Sequence, residues 1–203
     1  MIDRKEALKL LKKYIKTENT IKHMMACEAI MRSLARKLQN SKTPKFQDEE
    51  NFNEDEWGMA GLVHDLDYEI IDQETKEGHG LKTIEILKQE GINLPESVYQ
   101  TILAHNYENL DDKYAPQNKM DWSLFICDSL TGLIVATALV RPSKKLADVK
   151  LKSIKKKFKQ PSFAAGTRRE DIKLCEEKLG IPLDEFIEIG LKAMQGISEE
   201  LGL

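Results

Sequence analysis

The sequence predicts an all-α protein. Apolar residues recur every three or four positions along nearly the whole chain, no run alternates as a half-buried strand would, and Gly and Pro fall where helices stop and start. At 203 residues, with 41% hydrophobic and 32% charged side chains, the chain has a globular composition and is long enough for a core that encloses polar groups. One domain is expected over residues 1–203, with a core over about 21–139 and a basic helical part over about 143–203.

Each element has its own signal. Over residues 21–38, Ala26, Cys27, Ile30, Met31, Leu34 and Leu38 form one stripe while Lys22, Arg32 and Lys37 fall elsewhere, which gives a helix with a core face. Residues 40–53 are polar, carry Pro44 and read as a loop leading into a helix over 54–66. Gly78 and Gly80 punctuate next. A helix over 81–90 stops at Gly91, and Pro95 opens another that runs to His105. After a loop to Gln117, residues 120–140 form a long apolar helix ending at Arg141-Pro142. Ala147, Leu151, Ile154 and Phe158 carry helical spacing through a lysine-rich stretch. Thr167-x-x-Glu170 reads as a capping box, Gly180 ends that helix, and Pro182 opens the last, to Leu201.

Composition narrows the function. The charge-free run 130–140 is about half the roughly 20 residues a bilayer crossing needs, so no membrane span is expected. The opening MIDRKEALKL carries both signs of charge and no apolar core, unlike a secretory signal, and points to the cytoplasm. Cys27, Cys127 and Cys175 are odd in number and lack a Cys-x-x-Cys pair, which leaves them as buried thiols. Residues 141–169 hold eleven Lys and Arg against the single acid Asp148, within a chain of net charge −3. Such asymmetry suits an anionic partner. Nucleic acid is not expected, because only Phe158 and Phe163 interleave these cations.

The four histidines carry the chemistry. His23 lies in the apolar stripe of its helix, His64 follows Trp57, Ala60 and Gly61 at helical spacing, and His105 follows Val98 and Ile102, so all three face inward. His64 is followed directly by Asp65. Asp128 lies in the most apolar helix, where an unpaired carboxylate would cost several kcal/mol, so it needs a partner. A lone inward histidine is usually a hydrogen-bonded core residue. Several of them with a buried aspartate are reconciled by one or two cations inside a helical bundle, and this ligand chemistry suits Mn, Fe, Co, Ni or Zn.

These residues resemble the signature of the HD-domain superfamily of metal-dependent phosphohydrolases: a histidine, a His-Asp dyad and a distal aspartate on a helical core. Here they are His23, His64-Asp65 in GLVHDLDYE, and Asp128 in FICDSLTGL. The segment KSIKKKFKQPSFAAGTRRE is similar to the C-terminal part of a subgroup of predicted HD hydrolases. His79 in EGHGL and His105 in LAHN match the extra ligands of the two-metal branch. The resemblance implies an HD-like bundle with extra C-terminal helices and six metal ligands: His23, His64, Asp65, His79, His105 and Asp128. Asp65 would bridge two ions. Four neutral imidazoles and two carboxylates sum to −2, so a second divalent ion would leave the shell positive and ready for an anion.

The activity implied is hydrolysis of a small phosphorylated metabolite or nucleotide by attack of a metal-bound hydroxide. Glu28, Asp67 and Glu69 are placed to orient ligands or shuttle protons. Among Lys155, Lys156, Lys157, Arg168 and Arg169, Lys155 and Arg169 are the expected substrate-binding cations, the other lysines forming a solvated face. Two other readings share the ligand list. One is a di-iron oxygenase similar to myo-inositol oxygenase; the other is a catalytically inactive metal- or nucleotide-binding regulator.

Overall fold

The computed structural model describes residues 1–40 and 52–203, and among them every regular element is a helix or helical turn. The loop carrying Pro44 falls mostly outside the described residues. α1 (Arg4–Tyr14) is a helix that the periodicity reading left unassigned. It begins at a capping box, in which Asp3 accepts from the Glu6 N–H at 2.8 Å and Glu6 accepts from the Asp3 N–H at 3.1 Å. Ala7, Leu10 and Leu11 then face the core.

α2 (Glu18–Gln39) buries Met24, Ile30, Met31 and Leu34, and packs against α3 (Glu54–Val63), α6 (Lys119–Leu139) and α9 (Leu183–Gly196). The stripe read from the sequence is its core face. α4 (Leu81–Gln89) and α5 (Glu96–Ala104) follow α3, with α5 resting on α3 and α6. α6 is long and apolar enough for a bilayer by length and composition, and more than half of its most apolar stretch is buried by other helices. α7 (Leu151–Phe158), α8 (Arg169–Leu174) and α10 (Ser198–Leu201) complete the chain.

Four boundaries depart from the pattern, one of them in the last helix, which breaks at Ile197 where α9 gives way to α10. The helix expected over 54–66 ends at His64, where the chain breaks into successive turns. Helical spacing does not run on from Ala147, because Leu146–Asp148 is a separate short turn and α7 starts afresh after Lys150. The capping box at Thr167 does not form. Arg168 is the N-cap and its side chain makes no capping hydrogen bond to the helix backbone. The Thr167 N–H is instead tied to the Ala164 carbonyl at 2.9 Å, and its own carbonyl accepts from Arg169.

Two glycines bring the histidines together. A Cβ on Gly61 would stand 2.8 Å from backbone atoms of Cys27 and Glu28, so only glycine lets α3 lie this close to α2. That contact sets His64, three residues on, beside His23, four residues before Cys27; their rings are 5.3 Å apart. Gly80 has φ +88°, open to glycine at little cost, and its Cα faces the Ile102 carbonyl. The turn it makes holds His79 against His105, ring to ring at 4.7 Å.

Candidate metal centre

Four imidazoles converge on one carboxylate. Asp65 Oδ1 lies 3.1 Å from His79 Nε2, 3.4 Å from His64 Nε2 and 3.6 Å from His105 Nε2, while Asp65 Oδ2 lies 3.5 Å from His23 Nε2. Asp128 closes the group from α6, its Oδ1 2.9 Å from His23 Nε2 and 4.0 Å from His64 Nε2. All six residues named from the sequence as ligands therefore come to one place. They arrive from the second turn of α2, the C-terminal ends of α3 and α5, the turn before α4, and the middle of α6.

The other ring nitrogen of every histidine is taken. His64 Nδ1 donates to the Gly61 carbonyl at 2.9 Å, and His105 Nδ1 to the Ile102 carbonyl. His79 Nδ1 donates to Asp67 Oδ1 at 2.7 Å. Thr131 Oγ1 gives its own proton to the Asp128 carbonyl at 2.8 Å and so accepts from His23 Nδ1 at 2.9 Å. A neutral imidazole has one N–H. With that N–H spent at Nδ1, each Nε2 presents a lone pair to the centre.

With the rings neutral these lone pairs face one another and call for a cation between them, a metal ion or, without one, a proton. His79 Nε2 and His105 Nε2 are 3.0 Å apart, and His64 Nε2 is buried with no hydrogen-bond partner among the described residues. An unsatisfied buried nitrogen costs about 1–3 kcal/mol, and here it is aimed at two carboxylates. This donor set fits one or two divalent transition ions, with Nδ1 oriented by carboxylate, carbonyl and hydroxyl groups as ligating histidines generally are.

The electrostatics say the same. Burial opposes charge on His23, but the hydrogen bond and charge of Asp128, with Asp65 beyond, raise its pKa to about 9. Burial likewise opposes charge on His79, yet Asp65 and Asp67 lift it to about 9. His64, more deeply enclosed, is pushed down to about 4 by burial. Burial would raise Asp65, but the surrounding imidazoles hold it well below the usual carboxylate range. Positive charge is in demand at the centre.

The remaining candidates separate. Asp67 is fully buried and positions His79 while its Oδ2 accepts from the backbone N–H groups of Gly80 at 2.8 Å and Thr83 at 3.1 Å. Glu28 does not reach the centre: both its oxygens are bound by Arg4, and Arg32 adds a further bond at 3.1 Å. Glu69 accepts from the Lys16 and Thr17 N–H groups on the surface. The cysteine nearest the centre is Cys27, Sγ 3.7 Å from His23 Nε2, its thiol pushed well up by burial.

A cavity of about 660 Å³ opens over the centre, exposing His23, Asp65, His79, His105 and Asp128. Its far wall is residues 164–168, and Lys76 and Tyr68 stand at another side, with the ammonium 4.1 Å from the ring centroid. Neither expected substrate-binding cation is there. Lys155 is ion-paired with Asp184 on the surface. Arg169 spends its guanidinium on the carbonyls of Phe158, Gln160, Phe163, Ala164 and Thr167, folding that loop rather than facing a ligand. Of the five basic residues singled out, Arg168 lines the cavity, held by Asp171 at 2.7 Å and by Glu108. Thr131 and Lys76 were missed. Thr131 had a signal, since it lies one turn beyond Asp128 on the same face.

The profile of the HD domain family matches residues 20–133, more than half of the chain and every residue of the cluster. The chain belongs to the HD domain family. Comparison with curated proteins and with solved structures returned no match. HD domains bind divalent metal ions and are in general hydrolases, which accords with the donor set. The HD segment supplies the cluster, whereas the cavity wall at 164–168 lies beyond it in the chain.

Proposed function

We propose that this HD domain is a metal-dependent phosphohydrolase acting on a small phosphorylated molecule. The observation that carries the reading is the set of Nε2 atoms of His64, His79 and His105 gathered around Asp65, with Asp65, His79 and His105 opening onto a cavity that Lys76 also lines. His23, His64, His79, His105, Asp65 and Asp128 would hold the metal. When bound, it would lower the pKa of water and offset charge on phosphoryl oxygens.

The chain's own groups do the rest. Asp67, Thr131 and the carbonyls of Gly61 and Ile102 fix the four rings, so little reorganisation accompanies binding. Lys76 brings a positive charge to the cavity, which favours a phosphate over a neutral ligand, while Arg168 on the same cavity is already paired with Asp171 and Glu108. In the reaction, oxygen from water bonds to phosphorus as the bond to the leaving oxygen breaks. The leaving group takes a proton and inorganic phosphate remains.

The test is elemental analysis of protein purified without chelators, followed by a phosphate-release screen over nucleotides and sugar phosphates. The reading expects one or two transition ions per chain and release that a chelator abolishes. Oxygen uptake with bound iron and no phosphate release would move the chain to the oxygenase reading. Tight stoichiometric nucleotide binding without product would make it a regulator.

A further inference from the structure

Gly132 has no structural reason to be glycine. It sits in the interior of α6, where glycine weakens a helix relative to alanine, and its φ is not positive. Close packing does not demand it either. A Cβ built there meets only Thr167 Oγ1, at 4.0 Å, in contrast to Gly61 with backbone at 2.8 Å. What the missing side chain leaves is space. Gly132 lines the cavity over the histidines and also a second cavity of about 490 Å³.

The two cavities adjoin, with Asn19, His23, Thr131 and Gly132 lining both. Beyond these residues the second is walled by Ala26, Val135, Ala136, Leu139, Leu201 and Leu203. Lys22 is the one charged side chain on it past the shared residues, and it is paired with Glu18 at 2.9 Å. A ligand part that enters this groove therefore gains by burying carbon, not by hydrogen bonding.

We propose that the site takes an elongated phosphoester, its phosphoryl group at the His/Asp cluster and an aliphatic chain passing over Gly132 into this groove. The inference rests on the phosphohydrolase reading and adds the nature of the leaving group. An aliphatic chain is the occupant because the groove adjoins the cluster, sharing His23 with it, and offers apolar walls along its length.

Binding of n-alkylphosphonates, from methyl to octyl, to the metal-loaded protein tests this by calorimetry without relying on turnover. Affinity should rise with each added methylene, by up to about fourfold per group, until the groove is filled. Gly132→Leu, which adds bulk where both cavities are lined, should lower the octyl-to-methyl affinity ratio at least tenfold, and Ala136→Phe should do so from further along. Methylphosphonate binding without any gain from chain length in the wild type would overturn the inference and leave the phosphohydrolase reading standing. An unchanged ratio in both folded variants would also overturn it. Failure of every phosphonate to bind would count against the reading itself and take the inference with it.

Discussion

Asp67→Asn exposes the logic of the centre, because it changes one acceptor and almost no volume. The carboxylate accepts three hydrogen bonds, one from His79 Nδ1 and two from the backbone of Gly80 and Thr83. A carboxamide has one acceptor oxygen and must choose. Turning it towards His79 would leave its NH₂ against two buried N–H donors, at about 1–3 kcal/mol for each donor left unpaired. Turning it towards the backbone leaves the NH₂ against His79, a conflict the ring relieves by moving its proton to Nε2. The second arrangement wins. His79 then presents an N–H to the centre where it had a lone pair, and metal affinity should fall about 10–100-fold. A chelator competition titration reads the affinity, and ¹⁵N spectra of the histidines read the tautomer. Affinity within twofold of wild type, with His79 still protonated at Nδ1, would refute the reasoning.

Asp65→Ala removes the carboxylate that faces all four Nε2 atoms and should abolish binding of two ions; two equivalents retained on elemental analysis would contradict its bridging place. In metal-free protein, His23 and His79 have pKa values of about 9 against 6.5 for an ordinary histidine. Their contribution is therefore complete below pH 6.5 and lost as pH rises through 9, a loss on the order of a few kcal/mol that denaturant midpoints in the presence of chelator should record. His64, depressed to about 4, acts in the opposite sense and only below 6.5, where the unfolded chain takes up the proton first. Arg169→Lys cannot satisfy five carbonyls and should cost about 1–3 kcal/mol in unfolding free energy, whereas Lys155→Ala breaks an exposed pair and should leave both stability and KM unchanged. A raised KM in Lys155→Ala would restore it as a substrate contact.

Much of the fold was legible because helical periodicity is a local property. The stripe on α2, the stop at Gly91 and the start after Pro182 are all read within a few residues. α1 carries the same kind of local signal, in Asp3-x-x-Glu6 and the spacing of Ala7, Leu10 and Leu11. Thr167-x-x-Glu170 has the same form and fails, because Arg169 gathers the carbonyls of residues 158–167 and sets the backbone before the helix begins. Local motifs lose when a long side chain reorganises the loop beside them. His23, His64, His105 and Asp128 could be singled out in advance because helical spacing turned each inward, whereas Asp65 and His79, which lie on turns, came only from the resemblance to the HD signature. What charge alone did not distinguish is which cation faces the cavity: Arg168 and Arg169 are neighbours, and the packing of α8 on α6 brings residues 164–168 over the cluster. Glu28 was misread for a related reason, its two arginine partners lying one turn along α2 and on α1.

The most direct measurement is anomalous diffraction from crystals of protein purified without chelators, collected on both sides of the absorption edge of the metal found by elemental analysis. One or two peaks should lie among Nε2 of His23, His64, His79 and His105 and the oxygens of Asp65 and Asp128. A well-ordered map with no anomalous density there, and with His64 Nε2 satisfied by a hydrogen bond instead, would contradict the account.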